Sequence, residues 1–273
     1  MRLWAWVTGR SRCLAAWLAF MPLVTMPAVA DESGQRALPL DQIASGYAFQ
    51  STDTQALQDD DFANPGFLWL DRGAALWQSP AGKTQRACAD CHGPNGDDLK
   101  GNAARYPAFD PVFNRVINLE QRINACRQRH QQAAPLAYES DELLALTAYV
   151  ANLSKGRALD IAIDGPARPV FEAGKQAFFT RRGQLNLACH HCHNRNWGEM
   201  LRGDQISQGH GNGYPAYRFE WQSLGSLHRR LRACNLGVRA EPLDYGSPDY
   251  IALELYLAWR AGDLEIETPA VRR

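Results

Sequence analysis

Two copies of the pattern Cys-x-x-Cys-His constrain this chain more than any other feature. They are Cys88-Ala-Asp-Cys91-His92 and Cys189-His-His-Cys192-His193. The pattern is typical of c-type haem attachment, in which the two thiols form thioethers with one porphyrin and the histidine reaches the iron. A single match could be a redox or zinc motif, but two matches favour two covalently bound c-type haems. A thioredoxin-like alternative needs a βαβ pattern around the motif, which is not found.

Residues 1–30 have the features of a secretory signal peptide. Arg2, Arg10 and Arg12 form a basic start, an apolar stretch runs over 13–24, and Ala-Val-Ala at 28–30 provides a cleavage site. We therefore expect export to the periplasm, an oxidising compartment. The apolar stretch is short for a bilayer, and no later segment has about eighteen apolar residues in a row, so no stable membrane span is expected. A retained N-terminal anchor is the alternative.

The charge balance gives no sign of a nucleic-acid partner. The chain has 29 basic and 29 acidic residues, and loss of the three arginines near the N-terminus leaves 26 against 29, a net charge near −3. The sequence shows no basic stripe of the kind that follows a phosphate backbone. We therefore expect no nucleic-acid binding.

The sequence contains an internal duplication. Residues 106–126 align without a gap with 214–234, and 138–151 align with 245–258. Gly73 and Gly174 each lie fifteen residues before the first cysteine of a haem motif. The two copies predict a mostly α fold with two tandem cytochrome c-like domains related by internal duplication, preceded by an N-terminal extension.

The boundaries follow from the alignment and from a Gly-, Pro- and charge-containing linker near 154–169. We predict an N-terminal extension over 31–65, a first unit over 66–155 with haem 1, and a second unit over 156–273 with haem 2. Each unit ends in a predicted helix. Ser140 caps one, and Ser247, followed by Pro248 at the first helical position, caps the other.

The second axial ligand of each iron is less obvious. Methionine is a common choice, but only Met200 lies outside residues 1–30. One methionine cannot serve two haems, and Met200 is only seven residues beyond His193. The other candidates are two spare cysteines, Cys126 and Cys234, and five histidines: His130, His190, His191, His210 and His228.

The duplication favours the cysteines, because Cys126 and Cys234 occupy equivalent positions and no histidine outside the motifs has an aligned partner. A disulfide between them is the alternative, since paired cysteines are usual in exported proteins. Against it, equivalent residues of two repeats each face their own haem. Thiolate ligation would also lower the iron potential, which suits a simple high-potential carrier poorly.

The segment "RRLRACN" (229–235) surrounds Cys234 with three arginines. Arg230 precedes Cys234 by four residues, and Arg122 precedes Cys126 by the same interval, so each pair shares a helix face. A nearby guanidinium favours a thiolate and offers a planar fork to a small oxyanion. For Arg122 we favour a solvated side chain or a haem-propionate partner. For Arg230, between Arg229 and Arg232, an anion site is plausible.

These residues resemble the SoxA family, the dihaem cytochromes of the SoxAX complex of bacterial sulfur oxidation. The resemblance covers nearly the whole chain after residue 30, and its most specific part is the second motif with "RRLRACN". It implies L-cysteine S-thiosulfotransferase activity: thiosulfate is joined oxidatively to a cysteine of the SoxYZ carrier, and electrons leave through haem to the monohaem cytochrome SoxX.

The resemblance also implies roles for individual residues. Cys234 would be the catalytic cysteine, able to carry a persulfide, and with His193 an iron ligand of haem 2. Arg230 would bind thiosulfate. His92 and Cys126 would ligate the iron of haem 1, and the covalent attachment sites would be Cys88, Cys91, Cys189 and Cys192.

Two other functions remain open on the sequence. A thiosulfate dehydrogenase would make tetrathionate without a protein carrier, although it would not need a cysteine after each haem motif. A pure electron-transfer dihaem cytochrome would bind no substrate, and replacing Cys234 would change only a potential. A dihaem peroxidase has no support beyond the two motifs.

Overall fold

Two tightly packed helix pairs dominate the computed structural model, which describes residues 42–273. The predicted signal peptide and the start of the predicted extension lie outside these residues. The α-helices are α1 (Thr52–Asp59), α2 (Phe67–Gln78), α3 (Ala89–His92), α4 (Leu119–Cys126), α5 (Asp141–Asn152), α6 (Arg168–Phe179), α7 (Cys189–His193), α8 (Leu227–Gly237) and α9 (Pro248–Arg260). Within the described part of the chain, no helix has the length and apolar character needed to span a membrane.

Both helices predicted from capping residues are confirmed. The Ser140 hydroxyl accepts a hydrogen bond from the backbone N–H of Leu143 at the start of α5. The Ser247 hydroxyl accepts from the N–H of Tyr250 at the start of α9. These side chains satisfy N–H groups that have no partner within the helix, which fixes where each helix begins.

Short strands accompany the helices. They are β1 (Ala108–Asp110), β2 (Arg115–Ile117), β3 (Met200–Leu201), β4 (Asp204–Gln205), β5 (Ala216–Arg218), β6 (Ser223–Gly225) and β7 (Ala270–Arg272). Strands β1 and β2 form an antiparallel pair, and so do β3 and β4. Strand β5 is central in a three-stranded sheet, antiparallel to β6 and parallel to β7.

The order of elements repeats along the chain. Helix α2 packs on α5, and α6 packs on α9. A glycine lies at each crossing, where a Cβ on Gly73 would be 2.3 Å from the carbonyl oxygen of Ala145, and one on Gly174 would be 1.9 Å from that of Ala252. Only a residue without a side chain permits such close backbone approach.

Apolar side chains from both of the predicted units share one buried cluster. Leu70 and Leu144, from α2 and α5, pack with Leu224 and Val271, from β6 and β7. The end of the predicted extension also contacts the second unit, because Asn64 Nδ2 donates to the carbonyl of Pro269 at 2.9 Å. Helices α2 and α5 therefore pack against β7 and the hairpin that precedes α8.

Candidate functional site

Helix α7 carries the second haem motif and fixes the orientation of His193. Its Nδ1 lies 2.8 Å from the carbonyl oxygen of Ser207. The imidazole also packs directly on Gly209, where φ is +77° and a Cβ would approach His193 Cγ to 2.7 Å. Because Nδ1 faces Ser207, Nε2 on the opposite edge of the ring is the nitrogen that can face another partner. A backbone or carboxylate partner on the remote nitrogen is the usual way to hold a metal-ligating histidine.

Helix α8 brings Cys234 and Arg230 together on one face. Its first turn is capped by Ser226, whose hydroxyl accepts from the Arg229 N–H at 3.2 Å. Burial raises the pKa of the Cys234 thiol, but the Arg230 charge and a hydrogen bond with His193 outweigh burial and lower this pKa to about 7. Cys234 therefore lies within hydrogen-bonding reach of His193, and its lowered pKa gives it substantial thiolate character near neutral pH.

The other two arginines of "RRLRACN" have different partners. Arg229 donates to Ser223 Oγ at 3.2 Å and lies over the Trp221 ring. Arg232 donates to the carbonyl of Leu243 and lies over the Tyr245 ring. Arg230, by contrast, has its pKa raised chiefly by the negative charge of Cys234. The structure thus places Arg230 as the arginine of this segment that acts on the thiol.

The surroundings of the second motif fit a c-type haem. A histidine nitrogen and a cysteine sulfur face each other, a donor set that suits haem iron, and Cys189 and Cys192 are on the same helix as His193. Arg182 Nε is buried without a hydrogen-bond partner among the described residues, while the Arg182 charge acts on Cys189. A buried guanidinium N–H with no acceptor is expected beside a carboxylate-bearing group such as porphyrin.

The first motif has the same elements with different partners. His92 Nδ1 lies 2.9 Å from Asp98 Oδ2, an exposed carboxylate in place of the Ser207 carbonyl. Cys126 ends α4, whose cap Asn118 accepts from the Gln121 N–H at 3.1 Å. Burial raises the pKa of the Cys126 thiol, and nearby arginine charges do not reverse this effect. Cys126 is therefore near its motif but remains a protonated thiol in the protein alone.

Arg122 differs from Arg230 in its partners. Its Nε donates to the Tyr106 hydroxyl at 2.9 Å, and its Nη2 donates to the Asp110 carboxylate. Asp110 is 1% exposed and also accepts from the N–H groups of Val112 and Phe113. Arg122 thus forms an ion pair with a buried carboxylate and is not the solvated side chain that was one of the two possibilities expected from the sequence; the propionate contact stays a prediction.

One residue near Cys234 was not predicted from the sequence: it takes the place of Asp110 in the predicted second unit. The gap-free alignment pairs Asp110 with Arg218, a carboxylate with a guanidinium. Arg218 is 8% exposed, and its charge lowers the pKa of Cys234. Comparing charges between the two aligned segments would have revealed this exchange.

The remaining ligand candidates have other surroundings. Met200 is exposed on β3. His210 Nε2 lies 3.1 Å from Gln208 Oε1, and His228 Nε2 lies 2.9 Å from Glu254 Oε2. All six cysteines of the described residues are free thiols. Cys126 is close enough to Cys91, and Cys234 to Cys189, for their charges to interact, so each spare cysteine lies by its own motif.

Comparison with known proteins connects this arrangement to a family. A family model described as SoxA/TsdA, cytochrome c domain, matches residues 72–159. The chain is 41% identical over 232 residues to the L-cysteine S-thiosulfotransferase subunit SoxA of Rhodovulum sulfidophilum, covering 85% of this chain and 81% of the relative. The subunit of the same name from Pseudaminobacter salicylatoxidans is 38% identical over 249 residues, covering 91% and 87%.

A solved structure agrees with these relatives. The crystal structure of SoxXA from P. pantotrophus superimposes with a TM-score of 0.81 at 35% sequence identity, covering 85% of this chain and 87% of that one. The mostly helical fold and the cytochrome c domain are thereby confirmed, and a cytochrome c domain binds haem covalently.

Proposed function

This chain belongs to the SoxA family, and from that premise we propose that it is a periplasmic dihaem L-cysteine S-thiosulfotransferase subunit that joins thiosulfate to a cysteine of the SoxYZ carrier. Relatives at 41% and 38% identity carry that activity in their names. The two cytochrome c-like units would each bind one haem through the cysteines of its own motif. His92 and Cys126 would ligate one iron, and His193 and Cys234 the other.

The environment of Cys234 is the observation that carries this proposal. A thiol with its pKa lowered to about 7 lies one helical turn from an arginine that forms no ion pair with any carboxylate among residues 42–273. The thiolate is the reactive form of cysteine. An unpaired guanidinium beside it suits an oxyanion such as the sulfonate end of thiosulfate. The proposed nucleophile, Cys234, therefore lies next to the proposed anion site, Arg230.

The proposed reaction has two steps, and atoms and electrons balance in each. First, the Cys234 thiolate and the sulfane sulfur of thiosulfate form an S–S bond, and two electrons are released. Second, the carrier cysteine attacks the sulfane sulfur, the bond to Cys234 breaks, and the Cys234 thiolate leaves. The carrier thiol loses its proton to solvent. When bound, haem supplies one-electron acceptors that pass both electrons onward.

The residues of this chain supply binding and orientation. Arg230 would neutralise part of the thiosulfate charge and direct the sulfane sulfur toward Cys234. Ser207 and Gly209 would hold the His193 ring in one orientation. SoxX is the proposed electron acceptor, which is supported by the similarity to a SoxXA complex.

The test is thiosulfate-dependent haem reduction by wild type, Cys234→Ser and Cys126→Ser, with SoxX and SoxYZ present and mass spectrometry of SoxY. We expect the Cys234 variant to lose thiosulfate conjugation, while the Cys126 variant retains it with an altered haem 1 spectrum. Cys126→Ser is the matched control, because it removes the equivalent thiol from the equivalent helix.

Other results would favour the alternatives. Tetrathionate formed at full rate without SoxYZ would indicate a thiosulfate dehydrogenase. Near wild-type conjugation by Cys234→Ser would contradict a catalytic role for this thiol and leave a pure electron-transfer subunit.

A further inference from the structure

A single buried arginine joins the two segments that hold His193. Arg260 is the last residue of α9 and is 1% exposed. Its Nη2 donates to the His193 carbonyl at 3.1 Å and to Asn194 Oδ1 at 2.6 Å, and its Nη1 donates to the Gln208 carbonyl at 2.6 Å. One guanidinium therefore ties both the end of α7 and the loop after β4 to α9.

The loop after β4 orients the His193 ring. Its Ser207 carbonyl faces Nδ1, and its Gly209 packs on the ring. The hydrogen bond from Arg260 reaches Gln208, which lies between these two residues and is 0% exposed. A shift of the Gln208 backbone would move both contacts with the ring, so Arg260 holds the ring in place through this loop.

The charge of Arg260 is buried without a carboxylate to balance it. Burial lowers its pKa to about 10, which leaves the guanidinium protonated at neutral pH. It forms no ion pair with a carboxylate among residues 42–273, and its Nε has no hydrogen-bond partner there. His210, 3.4 Å from Nη1, stays neutral because burial holds its pKa far below the usual range. Water does not screen such a charge, so it acts strongly on the groups beside it.

The first predicted unit has no such charge. When the alignment of the two copies is continued by two residues, the counterpart of Arg260 is Leu153. In that unit His92 Nδ1 faces the Asp98 carboxylate, not a backbone carbonyl. The two motif histidines therefore lie beside opposite charges, a negative one at His92 and a positive one at His193.

We propose that Arg260 is a positioning residue for haem 2, which fixes His193 as an iron ligand and through its buried charge favours the reduced iron. The inference rests on the proposed role of His193 but concerns the haem itself, so it requires neither thiosulfate nor the carrier. Groups that contact a ligand histidine hold its orientation. A fixed positive charge stabilises the ferrous form, which has one positive charge fewer. The thiolate ligand proposed for the same iron lowers its potential, and Arg260 acts in the opposite direction.

The test is a potentiometric titration of the holoprotein in complex with SoxX, followed by visible and EPR spectroscopy. Cys126→Ser identifies the signals of haem 1, which then serve as the internal reference in every variant. For Arg260→Gln we expect the ferrous form of haem 2 to lose about tenfold or more in stability relative to the ferric form. This change lowers the midpoint potential by about 59 mV or more. The EPR signal of haem 2 should also broaden, because the ring is held less firmly, while haem 1 keeps its potential.

Two further variants separate the charge from the hydrogen bonds. Asn194→Asp keeps the hydrogen bond but places a carboxylate against the guanidinium, so the haem 2 potential should fall while its EPR signal stays sharp. Arg260→Lys keeps the charge but offers one nitrogen to three oxygens, so most of the potential should return while the signal stays broad. Arg72→Gln removes an exposed arginine from α2 and is the control, which should change neither haem.

An unchanged haem 2 potential in a folded Arg260→Gln would overturn the inference. Equal shifts of both haems would overturn it too, because a general loosening of the fold would cause them. If Arg260→Gln does not fold, Asn194→Asp decides, and an unchanged haem 2 potential in that variant would contradict the proposed effect of the charge. Failure of the proposed function is distinct: wild type would then fail to conjugate thiosulfate to SoxYZ, whatever its haem potentials.

Discussion

Cys126 and Cys234 occupy matched positions, yet their surroundings give the two thiols opposite tendencies. Each follows an arginine by four residues on a helix that begins after a short hairpin. The pKa of Cys126 is raised by burial, whereas that of Cys234 is lowered to about 7. The arginine alone does not make the difference, because both sites have one. What differs is the other groups at each site: His193 hydrogen-bonds to Cys234 and Arg218 adds a second positive charge, whereas Arg122 is shared between Cys126 and the Asp110 carboxylate.

The two helix crossings, unlike the two cysteine sites, are nearly the same: α2 crosses α5 as α6 crosses α9. Replacing the crossing glycines tests this equivalence and has the largest expected effect. Gly174→Ala and Gly73→Ala place a methyl group 1.9 Å and 2.3 Å from a backbone carbonyl oxygen, so something must shift. We expect each variant to lose about 3 kcal/mol or more, with Gly174→Ala the worse, measured by denaturant unfolding of the holoprotein. Gly237→Ala, where a Cβ meets no atom within 4 Å, is the control and should change little.

The next prediction separates the two arginines. Arg230→Gln should lower kcat/KM for thiosulfate about 10- to 100-fold, because it removes a charged interaction from an unpaired guanidinium. Arg122→Gln should leave kcat/KM nearly unchanged, because Arg122 is committed to Asp110 and Tyr106. Steady-state kinetics of both variants checks this, and equal losses would show that the two sites act alike.

The Asp110–Arg122 pair should instead contribute to stability. Asp110→Asn is expected to cost about 1–3 kcal/mol at pH 7, because Asp110 is buried with three hydrogen-bond donors. The pKa of Asp110 is lower in the folded state than in the unfolded state. Its contribution to the free energy of unfolding is therefore present above the unfolded-state pKa and is lost as the pH falls through the folded-state pKa. The difference in free energy of unfolding between wild type and Asp110→Asn should be smaller at low pH than at pH 7, and denaturant unfolding at the two pH values measures it. Asp97→Asn, which breaks an exposed pair with Lys100, should have a small effect at either pH.

A second aligned exchange predicts a change in how stability depends on pH. Glu120 aligns with His228, and both are buried near Glu254. Burial and the charge of Glu254 raise the pKa of Glu120 to about 8 from 4.5. The folded state therefore keeps a proton that the unfolded state has released, and stability falls as pH rises between these values, by up to about 1.4 kcal/mol per pH unit. Glu120→Gln should flatten this slope between pH 5 and 8, and an unchanged slope would contradict the assignment.

The sequence predicted what depends on short, regular patterns. The helices after Ser140 and Ser247 follow from their caps and apolar spacing, and the proximity of Arg230 to Cys234 follows from helical periodicity. The strands were not predicted, because two or three residues are too few to show alternation. The pairing of β5 with β7 joins residues more than fifty positions apart. The partners of His193 and Arg122 depend on loops that fold back from elsewhere.

The most direct test is to map sulfur adducts on the protein itself. Wild-type holoprotein in complex with SoxX would be treated with thiosulfate, without SoxYZ, then digested and analysed by mass spectrometry that resolves the peptides containing Cys126 and Cys234. A thiosulfate or persulfide adduct is predicted on the Cys234 peptide alone and should diminish in Arg230→Gln. Comparable adducts on both peptides, or an adduct on Cys126 only, would contradict the claim that the charge around Cys234 makes it the reactive site.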